Sequence, residues 1–153
     1  MVAAVSALLL GAAGCWGPGA DPASDASPAS SSGPALAGRA EVAALAGLPA
    51  GTAAGTAVLT YSGVGEVRAP FDGECSATGD TVRLDGRADT AHIRLDADAD
   101  GVRLSMDDVG LSATSDLATG RYDVAGGHLS LAAPLVQDGQ AIGTVELEVD
   151  CGG

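Results

Sequence analysis

Four aspartates in a stretch of twelve residues are the side chains of this chain best suited to bind a cation. They are Asp96, Asp98, Asp100 and Asp107, and a glycine after the third completes the D-x-D-x-D-G spacing of a calcium loop. Such a loop ends in a bidentate Glu and lies between helices, whereas this stretch ends in the shorter Asp and its flanks alternate like strands. We therefore predict a solvated acidic hairpin loop without a metal, in which Arg103 pairs with Asp98 or Asp100. A calcium-stabilised binding domain is the alternative.

The common motifs of catalytic sites are absent from the sequence, which contains no G-x-S-x-G, P-loop, H-E-x-x-H or C-x-x-C. His92 and His128 lie on alternating runs, opposite the apolar positions, which predicts two solvated strand histidines. Asp107 and Asp108 are adjacent, and adjacent strand residues point to opposite faces, so we expect an exposed loop and not a general-acid pair. We predict no catalytic residue, no cofactor and no enzyme activity. An envelope-associated hydrolase with paired carboxylates is the alternative.

Short alternating runs from about residue 57 onward must position these side chains. Four of them alternate apolar and polar residues, at positions 81–85, 91–96, 102–106 and 144–151. Turn signals made of Gly and Asp separate the runs, at positions 78–80, 100–101, 126–127 and 138–139. The pattern predicts an all-β fold, a small antiparallel sandwich or open barrel, with no helix after residue 56.

The first fifteen residues have the pattern of an export signal. Residues 1–13 are apolar apart from Ser6, and this run is shorter than the roughly 20 apolar residues of a membrane span. Residues 11–14 are small and Cys15 follows them directly, as in a bacterial lipobox. We predict cleavage of a signal peptide, residues 1–14, and acylation of Cys15, which anchors the protein at the extracytoplasmic face of the cell membrane. The alternative is an apolar helix with a buried cysteine.

A linker separates this signal from the domain. Residues 17–35 contain only Gly, Ala, Ser, Pro and Asp, which cannot bury enough apolar surface to offset the entropy of ordering them. Residues 36–47 favour a short helix whose apolar face is weak. We therefore assign residues 15–55 to a lipidated N-terminus and an Ala/Pro/Ser/Gly linker that form a disordered tether, and residues 56–153 to the β domain.

The two remaining cysteines fit a single disulfide. By strand alternation Cys75 shares a face with Phe71, and Cys151 shares a face with Val149, so both thiols point toward the core. An even number of thiols in an exported chain favours a bridge, with two free buried thiols as the alternative. The bridge closes a loop of about 76 residues and is worth roughly 4–5 kcal/mol in the chain-entropy model.

The charge of the chain excludes one class of partner. The 153 residues carry 20 acidic and 7 basic side chains, which gives a net charge of −13. Because neutralising phosphates needs clustered cations, this balance excludes a nucleic-acid duplex as a partner. It also argues against docking on anionic lipid through charge alone.

Three stretches, taken with the lipobox and the linker, resemble the mycobacterial lipoprotein antigen family (LpqH-like). They are residues 73–82, where a Cys and a Gly turn precede a strand; residues 109–111, a short apolar step after an acidic loop; and residues 144–151, a strand that ends in Cys. Members of that family are acylated surface antigens and adhesin-like glycoproteins without an established enzymatic site. The resemblance implies lipid attachment at Cys15, a bridge between Cys75 and Cys151, and no catalytic residue. We therefore expect a lipid-anchored surface module that binds an unidentified protein, glycan or apolar envelope molecule.

Overall fold

The computed structural model describes residues 39–117 and 120–153. The predicted signal peptide, the acylation site Cys15 and the linker at residues 17–35 lie outside these residues. One short helix and nine strands make up the described part: α1 (Arg39–Leu45), β1 (Gly51–Tyr61), β2 (Gly65–Thr78), β3 (Thr81–Ala88), β4 (Ala91–Asp98), β5 (Gly101–Asp108), β6 (Leu111–Asp116), β7 (Arg121–Ala125), β8 (His128–Gln137) and β9 (Gln140–Cys151). Within this part of the chain, no helix has the length and apolar content needed to cross a bilayer.

The nine strands form one antiparallel sheet that closes on itself. Strands β1 to β6 follow one another as a meander, β9 lies on the other side of β1, and β8 lies beside β9. Thr114 of β6 pairs with Val136 of β8, which closes eight strands into a barrel. The extra strand β7 pairs with the first half of β8. The all-β antiparallel prediction is thus confirmed, and of the architectures considered the fold is a barrel, closed and not open.

Aliphatic side chains fill the inside of the barrel. Alternate residues of the strands point inward, and Leu84, Ile93, Leu104 and Leu147 are each at most 1% exposed. The four predicted alternating runs fall within β3, β4, β5 and β9, so burial of one face is the reason for their pattern. The only Phe of the sequence, Phe71, is 1% exposed and belongs to this core.

Helix α1 packs against the end of the barrel at which the chain enters. Leu45 and Leu48 are 0% and 3% exposed and belong to the same core as the strands. Strand β1 then begins at Gly51, so the predicted domain boundary at residue 56 is too late. The start of β1 is rich in Gly, Ala and Thr, and these small residues do not produce the alternation of large apolar and polar residues on which the boundary was based.

The predicted Cys75–Cys151 disulfide is present, with the two Cα atoms 5.8 Å apart. Cys75 lies opposite Gly51 and Cys151 lies opposite Ala53, so the bridge joins β2 to β9 across the first residues of β1. Both cysteines are nearly buried, at 4% and 8% exposure. The bridge therefore fastens the strands around the point where the chain enters the barrel.

Candidate functional site

The four aspartates of the predicted acidic stretch do not converge. Asp98 and Asp100 lie at the β4–β5 turn, where Asp98 Oδ1 accepts the backbone N–H of Asp100 at 2.8 Å. Asp107 lies near the far end of β5, roughly 20 Å along the strand, and accepts the hydroxyl of Ser112 at 2.6 Å. Among residues 39–117 and 120–153, no three His, Cys, Asp or Glu side chains are placed to hold a metal ion. The stretch forms an acidic hairpin.

Arg103 has a different neighbour from the predicted one. The strand register places Arg103 opposite Asp96, and not beside Asp98 or Asp100. Asp96 in turn forms an ion pair with Arg83 of β3. The predicted pair of Arg103 with Asp98 or Asp100 was wrong because the register places Asp98 opposite Gly101, two residues before Arg103.

Both histidines lie on the outer face, as predicted, but carboxylates hold each of them. His92 Nε2 lies 2.8 Å from Asp85 Oδ1, and Arg94 Nε donates to Asp85 Oδ2 at 2.7 Å. The pKa of Asp85 is lowered, chiefly by its hydrogen bond with His92 and further by the one from Arg94. This cluster links β3 to β4 and leaves its carboxylate fully engaged.

His128 lies between two carboxylates of β9. Its Nδ1 is 2.9 Å from Asp150 Oδ1, its Nε2 is 2.9 Å from Glu148 Oε2, and the Ser130 hydroxyl donates to Glu148 Oε1 at 2.7 Å. Both ring nitrogens donate only in the imidazolium form, and Asp150 first and Glu148 second raise the pKa of His128. In a Ser–His–Asp triad the imidazole contacts the serine hydroxyl. Here the Ser130 hydroxyl bonds to Glu148 and not to His128, so these residues do not have the arrangement of a triad.

This cluster lies at one end of a groove that follows the outer face of β8, hereafter the β8 groove. Small side chains of β8 form its floor: Ser130, Ala132 and Pro134. Side chains of the two neighbouring strands form its walls: Arg121 and Asp123 from β7, and Glu146 and Glu148 from β9. Two adjoining surface cavities of about 370 Å³ and 270 Å³ make up the groove.

The cross-section of the β8 groove follows from the strand register. Arg121, Ala132 and Glu146 lie directly opposite one another on three adjacent strands. Because adjacent strands are about 4.8 Å apart, the two charged walls stand roughly 10 Å from each other with a methyl group between them. The β8 groove is therefore a trench whose width is about two strand spacings.

The chemistry of the β8 groove suits binding. Neither Arg121 nor Glu146 forms a hydrogen bond or ion pair with another described residue, so one donor group and one acceptor group remain available across the trench. A general acid needs a raised carboxyl pKa, whereas the pKa of Glu148 is lowered, by the Ser130 hydroxyl first and by His128 second. The lowered pKa of Glu148 therefore does not suit a general acid, and its carboxylate offers charge and hydrogen-bond acceptors to the groove.

The end of the barrel opposite α1 is spanned by a hydrogen bond between Tyr61 and Asp108. Tyr61 ends β1 and Asp108 ends β5, four strands away in the ring of eight, and the hydroxyl donates to Asp108 Oδ2 at 2.8 Å. Thr90 and the backbone N–H of Val109 donate to the other oxygen at 2.6 and 2.7 Å. Asp108 is the last residue of β5, and its carboxylate has these three donors. The prediction of an exposed loop at Asp107 and Asp108 is therefore wrong, because the fold of the barrel brings the donors to Asp108.

These contacts shift both titrating groups. The pKa of Asp108 is lowered by the Thr90 hydroxyl first, then by the Val109 N–H and the Tyr61 hydroxyl. Burial first, and then Asp108, raise the pKa of Tyr61 to about 12. The mouth of the barrel is thus held by a neutral phenol and an ionised carboxylate.

The sequence contained a weak signal for the β8 groove and none for the contact between Tyr61 and Asp108. Residues 130, 132 and 134 are small residues at alternate positions, and residues 146 and 148 are acids at alternate positions, but only the register places them side by side. Comparison of the chain with protein-family models, curated proteins and solved structures found no match.

Proposed function

We propose that the protein is a lipid-anchored surface module at the extracytoplasmic face of the cell membrane, which binds its partner on the outer wall of the barrel. The observation that carries the binding part of the proposal is the packed interior. Leu45 and Leu48 pack into one end of the barrel and the Tyr61–Asp108 hydrogen bond spans the other. A partner therefore has the outside of the barrel available to it, and the β8 groove is a concave part of that outside in which Arg121 and Glu146 have no partner among the described residues.

The anchoring part of the proposal is supported by the sequence before the barrel. Small residues followed by Cys15 form a lipobox after a short apolar run. A disulfide buried in the core is typical of proteins outside the cytosol, because the cytosol keeps thiols reduced. Acyl chains on Cys15 would hold the barrel at the membrane surface, with a protein, a glycan or an apolar envelope molecule as partner.

Capture from envelope extract tests the binding part. The full chain is immobilised, and the retained material is compared with that of the double variant Arg121→Ala/Glu146→Ala. The matched control is Arg103→Ala/Asp100→Ala, which removes the same charges from another part of the outer wall. We expect the groove variant to retain at most about a tenth of the material, since two charge-assisted contacts are lost, and the control to match the wild type. Equal retention by all three proteins would contradict the assignment of the groove.

Membrane fractionation tests the anchoring part separately. The Cys15→Ser variant should either be released into the medium or accumulate as an unprocessed precursor that keeps residues 1–14, because the acylated thiol is gone. A Cys15→Ser protein that has lost residues 1–14 and still partitions with the membrane like the wild type would contradict anchoring and leave the groove proposal unaffected.

A further inference from the structure

The first part of β2 is a sheet edge that no described strand covers. Residues 65–70 pair with β1 on one side, whereas pairing of β2 with β3 begins only at Phe71. No described strand pairs with the other side of residues 65–70. Unpaired N–H and C=O groups at such an edge are available to another strand.

The turn before β2 fixes which residues present these groups. The C=O of Tyr61 accepts the N–H of Val64 at 3.1 Å inside the hairpin, so Tyr61 directs its backbone groups toward β2. Backbone direction alternates along an antiparallel strand, so Gly65 and Val67 bond to β1 while Glu66 and Arg68 direct their N–H and C=O away from it. Pro70 is the next residue after Glu66 and Arg68 whose backbone faces away from β1. Its missing N–H is tolerated there because no described strand pairs with this side.

The side chains at this edge carry opposite charges two residues apart. Glu66 and Arg68 are exposed, and neither has a hydrogen-bond or ion-pair partner among the described residues. Between them, Val67 points toward the inner face of the sheet yet remains 39% exposed, and Val64 in the turn is 84% exposed. Within the described part of the chain, the edge thus combines unpaired backbone groups, two charges without a partner and exposed apolar surface.

We propose that this edge pairs with the same edge of a second copy of the chain, antiparallel about Val67. A two-fold axis at Val67 places Glu66 of each copy opposite Arg68 of the other, where unlike charges attract. The same register lets Glu66 and Arg68 exchange backbone hydrogen bonds and covers Val67 with its own counterpart. Two-fold registers centred on Glu66 or on Arg68 place like charges opposite each other, so of these three registers the charge pattern favours the one centred on Val67.

The pairing is expected to be weak in dilute solution. A contact of about five residues per copy buries far less than the roughly 1,600 Å² of a standard interface. Charged residues and a proline are also the usual means by which an edge avoids pairing. The experiment must therefore distinguish a self-complementary edge from a protected one, and the edge at β2 from the edge at β7.

Charge exchange makes that distinction. Sedimentation equilibrium of the full chain carrying Cys15→Ser, in which no acyl chain drives association, should show a monomer–dimer equilibrium. Glu66→Arg alone and Arg68→Glu alone should each weaken it about tenfold, because two attractive pairs become repulsive, and the double exchange should restore it. Arg121→Glu and Asp123→Arg, the same charges on β7, should leave it unchanged.

Disulfide trapping tests the geometry on the membrane. Directly opposite residues in a non-hydrogen-bonded pair have Cα atoms about 4.5 Å apart, within the range a disulfide spans, so Val67→Cys should cross-link two copies on mild oxidation. Val109→Cys is the control, because Val109 is 85% exposed at the same end of the barrel. A wild type that stays monomeric, a double exchange that fails to restore the dimer, loss of the dimer in the β7 variants, or equal cross-linking of both cysteine variants would each overturn the proposal.

Discussion

The substitution Tyr61→Phe removes one hydroxyl group from the mouth of the barrel and leaves the ring beside Met106, whose Sδ lies 3.6 Å from the Tyr61 hydroxyl. A hydrogen bond to a charged acceptor is worth about 1.5–3 kcal/mol. Asp108 keeps its donors from Thr90 and Val109 after the substitution, so we expect the lower end of that range. The free energy of unfolding should fall by about 1.5 kcal/mol.

The pH dependence of this difference follows from the two pKa shifts. The pKa of Tyr61 is raised from 10.0 to about 12, so the stability that its neutral form contributes is present below pH 10 and is lost as the pH rises toward 12. The pKa of Asp108 is lowered from 3.8, so its contribution is present above about pH 4 and is lost as the pH falls through the folded value. Wild type and Tyr61→Phe should differ most between these limits.

A double-mutant cycle measures the contact itself. Urea unfolding of the wild type, Tyr61→Phe, Asp108→Asn and the double variant should give a coupling of about 1 kcal/mol or more. Asp107→Asn, one residue away on the outer face, should be additive with Tyr61→Phe. A Tyr61→Phe variant within 0.3 kcal/mol of the wild type, or an additive cycle with Asp108, would refute the reasoning that this hydrogen bond holds the mouth.

Three further predictions concern the disulfide, the His128 cluster and the acidic hairpin. Cys75→Ser should lower the free energy of unfolding by about 4 kcal/mol through loss of the long cross-link, and urea midpoints that do not change with reductant would contradict this. The pKa of His128 is raised from 6.5, so the stability that its charged form contributes is present below pH 6.5 and is lost as the pH rises through the folded value. For an exposed cluster this contribution is at most about 1 kcal/mol. In thermal melts from about pH 5 to 9, the difference in stability between wild type and His128→Gln should shrink as the pH rises, and a constant difference would contradict the prediction. Millimolar calcium should raise Tm no more than magnesium does at equal ionic strength, because Asp98 lies at the β4–β5 turn and Asp107 lies near the other end of β5. A rise of several degrees that is specific to calcium and abolished by Asp98→Ala would show a calcium site.

Strands with one buried and one solvated face were predictable, because burial of one face requires apolar residues at every second position. Strand β9 is the clearest case, since Val145, Leu147 and Val149 are fully buried and the residues between them are exposed. The disulfide followed from the same alternation, because it places both thiols on the inner side. The predicted domain began too late in β1 and left α1 in the tether. The start of β1 consists of small residues, and Leu45 and Leu48 alone give too little periodic signal to indicate a buried face.

Contacts between residues on opposite sides of the barrel could not be predicted from the sequence. Tyr61 and Asp108 are 47 positions apart, and nothing local to either residue indicates the other; they meet only because eight strands close into a ring. The β8 groove has the same origin, since its walls come from β7 and β9 and depend on the register of both strands with β8. Ion-pair partners were not predictable either: the pair predicted within the β4–β5 hairpin was wrong, and Asp96 pairs with Arg83 of a third strand.

The intact mass of the membrane-extracted protein tests the proposed anchoring most directly. We predict a mass equal to that of residues 15–153 plus acyl groups on Cys15. A mass that begins at Met1, or a mature chain with an unmodified Cys15, would contradict it.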